Sequence, residues 1–138
     1  MTNKEIWVIV EILVLLPSSF LFVTVFHELA HCVAVWVQGG KVLKFKVRWN
    51  LTGSMMYRVS PSVNDMIVGL APLIAAVILA ATFVALAFIH PPMLVLAVFE
   101  FEDVLGWLHE YVSRTPHSDG GDYRRLAEDR ASAKGEGA

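Results

Sequence analysis

Hydrophobic residues are concentrated in three long tracts, at residues 5–38, 62–89 and 93–113, with polar segments between them. An α-helix rises about 1.5 Å per residue, so each tract is long enough to cross the roughly 30 Å hydrocarbon core of a bilayer. The first tract exceeds that thickness, and we expect it to tilt or to bend at Pro17. The pattern predicts an all-α membrane protein, a three-span helical bundle.

The segment between the first two tracts has a different periodicity. Gly39 and Gly40 end the first helix, and the sequence then alternates between basic and apolar positions. One face of this predicted strand carries Leu43, Phe45, Val47 and Trp49. A turn at residues 50–53 leads into a second alternating stretch, residues 54–60. We therefore predict a β-hairpin over residues 41–60, between spans one and two.

Composition supports a membrane environment and argues against nucleic acid as a partner. The chain is 56% hydrophobic, above the roughly 45–50% of soluble domains, so membrane lipid is the expected partner. The net charge of -2 comes with no basic stripe of the kind that binds nucleic acid. We expect residues 1–122 to form the membrane-embedded core and residues 123–138 to form a polar, mobile tail.

The distribution of basic residues predicts the orientation. Basic residues flank the end of span one and the end of span three, whereas the connection at residues 90–92 has none. Cytoplasmic loops carry the excess of Lys and Arg in membrane proteins. We therefore expect a multi-pass protein with the hairpin and the C-terminus in the cytosol and the N-terminus on the opposite side.

Residues 27–31 read His-Glu-Leu-Ala-His, the HExxH pattern. On a helix His27 and His31 lie one turn apart, so both imidazoles can reach one Zn²⁺ ion. Glu28 lies near the same face and could act as the base that takes a proton from a water molecule at the metal. The alternative is that these side chains simply pack in a helix, but unpaired ionisable groups in an apolar span each cost about 2.5 kcal/mol or more.

A hydrolytic zinc site usually has three protein ligands, so a third ligand is expected near the cytosolic end of span three. Asp119 and Asp122 are candidates, and the two glycines after Asp119 leave the backbone unhindered for a close approach to a metal. Other candidates on the same side are His109, Glu110 and His117. The acidic residues Glu100, Glu102 and Asp103 within span three could line a water path, pack in protonated form, form an oligomer contact or, for Asp103, bind the metal.

These features together resemble the site-2 protease family of intramembrane metalloproteases. The resemblance rests on the HExxH helix, on Gly69-Leu70-Ala71-Pro72-Leu73 as a version of the family's Gly-Pro segment, and on the sequence PHSDGG at residues 116–121 as a divergent LDG motif. It implies that Asp119 is the third zinc ligand. Ser118 stands where the family has leucine, and Ala71 where it has glycine.

The resemblance implies an intramembrane zinc metalloprotease that hydrolyses peptide bonds in or near transmembrane segments of a protein or peptide substrate. A second interpretation is a non-catalytic zinc-binding membrane scaffold or interaction protein, and a third is a helical scaffold without zinc. Glu28 separates the first two, because a structural metal site does not need a carboxylate base.

Overall fold

The computed structural model describes residues 3–48, 53–58 and 60–135. The elements follow the order α1 (Asn3–Val37), β1 (Lys41–Val47), β2 (Gly53–Arg58), α2 (Asp65–Ala87), α3 (Met93–Ser113) and α4 (Asp119–Gly135). The protein is thus mostly helical, with a small two-stranded antiparallel hairpin between α1 and α2. Both features agree with the predictions from the sequence.

Within the described residues, two helices are long and apolar enough to cross a membrane, over Lys4–Val37 and Asp65–Ala87. The first is a single helix that continues through Pro17. Helix α3 covers the third hydrophobic tract, but it carries four acidic residues and is not among these two candidates. The third span therefore stays a prediction.

Much of the apolar surface of α1 and α2 is not covered by other parts of the protein. Trp7 is 70% exposed, for example, and Val14 and Ile78 are exposed as well. Such an extent of uncovered apolar surface is unusual for a soluble monomer and suits contact with lipid. The buried core of the described residues is correspondingly small and includes two clusters.

One cluster lies where α1, α2 and the hairpin meet, and the other lies between α2 and α3. The first contains Ala34, Val35 and Val68, against which Val42 and Tyr57 pack. The second contains Phe83, Leu96, Ala97 and the partly buried Phe22. Helices α1 and α3 run in the same direction, because Phe20 contacts Phe99 and, further along both helices, His27 contacts Asp103.

A β-bulge interrupts the predicted alternation near the start of β1. The pairing of Val42 with Tyr57 is followed by that of Lys44 with Met56, so Leu43 is an extra residue in the ladder, a β-bulge. Val42 consequently packs against the core, while Leu43 is 55% exposed. The predicted regular alternation, with Leu43 on one face together with Phe45 and Val47, is therefore interrupted at Leu43. The predicted positions of Trp49 and of the turn up to residue 52 lie outside the described residues.

The ends of the helices near the hairpin are closed by local hydrogen bonds. Gly39 adopts a left-handed backbone (φ 75°), and the amide of Gly40 donates to the carbonyl of Val35 at 2.9 Å, which ends α1. The Asn64 side chain caps α2 by accepting from the backbone amide of Met66 at 3.1 Å. The backbone amide of Asn64 donates to the side-chain oxygen of Gln38 at 2.7 Å. The end of α1 is thereby joined to the start of α2.

Candidate metal centre

The three residues singled out in HExxH lie in the last third of α1. His31 is buried, whereas His27 and Glu28 are half-buried. The helical repeat places the two imidazole rings next to each other, with 5.3 Å between their centroids. Both rings and the Glu28 side chain line one cavity of about 990 Å³.

Each imidazole is oriented by a hydrogen bond at its Nδ1 atom. The His31 Nδ1–H donates to the backbone carbonyl of Val68 on α2 at 2.8 Å. The His27 Nδ1–H donates to the Asp103 carboxylate on α3, with both oxygens at 3.1–3.2 Å. Because Nδ1 is the donor in each ring, Nε2 is the nitrogen left for a metal.

Asp119 lies where the two Nε2 atoms converge. Its Oδ2 is 2.7 Å from His27 Nε2 and 3.1 Å from His31 Nε2. The ligand atoms of these three residues all lie within 4.8 Å of one another. Tetrahedral zinc with bonds of about 2.1 Å holds its ligand atoms roughly 3.4 Å apart, so the group could hold such an ion after a shift of less than about 1 Å.

The hydrogen-bond pattern itself favours a cation at this point. Both nitrogens of His27 and of His31 face acceptor groups, so without a metal each ring would need two protons to satisfy them. Two imidazolium cations with centroids 5.3 Å apart would repel each other. A single divalent ion between the Nε2 atoms and Asp119 replaces both protons, and the residues therefore fit a metal.

Asp119 is in the charge state that a metal ligand requires. Burial by itself opposes ionisation of this carboxyl, but without a metal the hydrogen bonds from His27 and His31 outweigh it and hold the pKa of Asp119 well below its usual range. The carboxyl is therefore ionised at neutral pH.

Two glycines allow α4 to bring Asp119 to the site. A Cβ on Gly120 would lie 2.2 Å from the carbonyl oxygen of Trp107, and one on Gly121 would lie 1.9 Å from the carbonyl oxygen of Thr115. The start of α4 thus rests against the backbone at the end of α3. These glycines were predicted to give clearance around the metal, and their contacts show a different role, the packing of α4 on α3.

Helix α4 was not predicted from the sequence, because the polar composition of residues 123–138 indicated a tail. The Arg124 guanidinium donates to the carbonyls of Tyr111 and Val112, both at 3.2 Å, and so closes the C-terminal end of α3. At the other end of the described side chains, Arg130 donates to Asn64 at 2.9 Å. These contacts hold the helix that begins with Asp119.

The other candidate ligands lie near the site but have different contacts. Asp122 pairs with Arg125 at 3.1 Å, and Glu110 accepts from the amide of Gly120 at 3.4 Å. His117 lines the cavity, and His109 is exposed and is not among the residues that line it. Within the described part of the chain, the group that could hold a metal consists of His27, His31 and Asp119.

Two contacts of the site were missed by reasoning from the sequence. Asp103 was weighed as a ligand, whereas it contacts the far nitrogen of His27. A sequence signal for its direction exists, because Glu100, Asp103 and Trp107 recur at helical spacing and so lie on one face of α3, on which Glu100 and Trp107 are buried. The second contact, Gly53 against Glu28, has no such signal, since it depends on how the hairpin folds back.

Comparison with known protein families decides the relationship. The family model described as Peptidase M50B-like matches residues 5–108, three quarters of the chain. The chain belongs to the Peptidase M50B-like family. This membership confirms the resemblance to site-2 proteases, and together with the two apolar helices it indicates a membrane protein. Comparisons with curated proteins and with solved structures gave no match.

The matched region of this M50B-like chain contains the HExxH helix, the hairpin and Asp103, and it ends eleven residues before Asp119. Family membership therefore bears on the α1 part of the site. The assignment of Asp119 rests instead on its convergence with His27 and His31.

Proposed function

We propose that this M50B-like protein is an intramembrane zinc metalloprotease that hydrolyses peptide bonds in or near transmembrane segments of its substrates. The observation that carries the proposal is the convergence of His27 Nε2, His31 Nε2 and Asp119 Oδ2 in one cavity with Glu28. Two imidazoles and one carboxylate are a ligand set of catalytic zinc sites, which leave a fourth position for water or substrate.

In this proposal His27, His31 and Asp119 hold the ion, and each of the chain's other groups has a separate task. Zinc, when bound, supplies a Lewis acid that polarises the scissile carbonyl and acidifies water. Glu28 takes a proton from the attacking water and delivers it to the departing amine nitrogen. The cavity of about 990 Å³ gives room for water and for a locally unwound substrate segment beside Glu28.

The proposed setting is a three-span bundle in lipid. Helix α3 would be the third span, with its polar face, including Asp103, turned toward the cavity rather than toward lipid. The hairpin and the C-terminus would lie in the cytosol, because basic residues such as Lys44 and Arg58 are more frequent in cytosolic loops of membrane proteins. The partner would be a transmembrane protein or peptide that reaches the cavity from within the membrane.

A comparison of the native protein with Glu28→Gln tests the proposal. The variant keeps a similar shape but has no basic carboxylate, so it should bind zinc in native amounts and lose cleavage of a single-span peptide by at least about 100-fold. Metal analysis and a cleavage assay would be run on the same detergent-purified samples. Stoichiometric zinc without any cleavage by the native protein would favour the zinc-binding scaffold, and native protein without zinc would contradict both.

A further inference from the structure

Asp103 on α3 contacts the HExxH helix through His27. Both of its oxygens lie 3.1–3.2 Å from His27 Nδ1, although the two residues are 76 positions apart in the sequence. Both side chains are mostly buried, with 23% of Asp103 and 21% of His27 exposed. A charged hydrogen bond in such a setting is stronger than one on an open surface.

We propose that Asp103 is a positioning residue of the metal site, which accepts the Nδ1–H of His27 and so directs Nε2 toward His31 and Asp119. The proposal rests on the proposed function, because it assumes that the cation bound there is zinc. Asp103 is not a ligand in this arrangement, because its oxygens meet the opposite ring nitrogen from the one that faces Asp119. Carboxylates in this relationship fix the tautomer of a ligating histidine and make it a better donor to the metal.

The two histidines depend on different kinds of support. His31 is oriented by the backbone carbonyl of Val68, which no side-chain substitution removes. His27 Nδ1 is oriented by a side chain, that of Asp103. A substitution at Asp103 therefore disturbs one ligand of the ion and leaves the support of the other in place, so zinc binding should weaken without being abolished.

The residue next to Asp103 provides a matched control. Glu102 is exposed, is also acidic and lines the same cavity, so Glu102→Gln changes the charge of the cavity without removing the acceptor of His27. Asp103→Asn keeps an oxygen that can accept the Nδ1–H, whereas Asp103→Ala removes it. This pair separates the loss of charge from the loss of the hydrogen bond.

The test is zinc affinity, measured by competition with a chromophoric chelator on the full chain in detergent. Asp103→Ala should weaken binding about 10- to 100-fold, Asp103→Asn should weaken it less, and Glu102→Gln should match the native protein. In a His27→Ala background, Asp103→Ala should cause no further loss of zinc affinity, because Asp103 acts on zinc binding only by orienting His27. Cobalt substituted for zinc should give the same visible spectrum in the native protein and in Asp103→Asn, because the set of ligands is unchanged.

The outcomes distinguish this proposal from the proposed function. If the native protein binds zinc and Asp103→Ala binds it equally well, the positioning role is overturned while the metalloprotease proposal stands. A changed cobalt spectrum in Asp103→Asn, or a further loss of affinity in the His27→Ala background, would also overturn it, because Asp103 would then act on the ion directly or through another group. Native protein that binds no zinc would instead overturn the proposed function.

Discussion

Gly53, the first residue of β2, lies directly against the side chain of Glu28. A Cβ at Gly53 would fall 2.2 Å from Glu28 Cγ and 2.4 Å from its Oε1. The backbone of Gly53 is not in the left-handed region, which within the described glycines is occupied by Gly39. Close approach to Glu28, and not backbone conformation, is therefore what requires glycine at this position.

Gly53→Ala should impair catalysis without removing the metal. The added methyl group must displace either the Glu28 carboxylate or the start of β2, and a shift of about 1 Å in a catalytic group can cost up to roughly 100-fold in rate. We expect kcat for a single-span peptide to fall about 10- to 100-fold at native zinc content. Ser54→Ala, at the exposed neighbouring position, is the control, and equal kcat values for Gly53→Ala and the native protein would contradict the prediction.

Gly120→Ala should weaken zinc binding through the position of α4. Its Cβ would meet the carbonyl oxygen of Trp107 at 2.2 Å, so the start of α4, and Asp119 with it, must move away from α3. Such overpacking costs about 1–3 kcal/mol, and we expect zinc affinity to fall about tenfold or more. Gly106→Ala is the control, because nothing lies within 4 Å of a Cβ there. Equal zinc affinity in the two variants would show that α4 accommodates the methyl group.

The contact between Tyr57 and Asp65 predicts a loss of stability at high pH. The Tyr57 hydroxyl donates to Asp65 Oδ1 at 2.5 Å and joins the hairpin to the start of α2. Burial and this hydrogen bond raise the pKa of Tyr57 from 10.0 to about 12. The folded protein retains this proton more tightly than the unfolded chain does. The contribution of the hydrogen bond to the free energy of unfolding is therefore complete below pH 10 and is lost as the pH rises toward 12.

Tyr57→Phe isolates that contribution from the titration of other groups. The apparent midpoint of thermal unfolding should be lower in the variant than in the native protein below pH 10, and the difference should shrink between pH 10 and 12. The measurement is a series of unfolding curves in one detergent. A difference that stays constant across this range would contradict the assigned pKa shift.

Glu100 should be replaceable with a gain in stability. Its side chain is 2% exposed, and its Oε1 has no hydrogen-bond partner within the described part of the protein. A buried acceptor without a partner costs about 1–3 kcal/mol, so Glu100→Leu should raise the apparent midpoint of unfolding. Zinc affinity should stay at the native value. A lower midpoint would indicate that the carboxyl contributes a stabilising contact.

The sequence was sufficient for those features that depend on local spacing. The period of the apolar residues predicted the helices and the hairpin, and the four-residue spacing of His27 and His31 predicted that their rings are neighbours. The bulge at Leu43 was missed because one inserted residue reverses the face of the positions before it, while the alternation itself looks unbroken.

Contacts between segments that are distant in the sequence also could not be predicted from residue spacing. Asp103 is one of four acidic residues in α3, and the packing of α3 on α1 decides which one contacts His27. The helical state of residues 119–135 was missed for a related reason. Polar composition predicted a tail, but Arg124 and the close approach at Gly120 tie this segment to α3.

For the proposed three-span bundle, the pair formed by His27 and Asp103 also has a consequence for how the chain assembles in a membrane. Two apolar helices in lipid can slide past each other by a turn and still make comparable van der Waals contacts, because the tails of the lipids are as apolar as leucine. A single buried polar pair is satisfied at one depth only. By joining α1 to α3 at that depth, it would select one alignment from several near-equal ones, as a lone buried asparagine selects the register of a coiled coil.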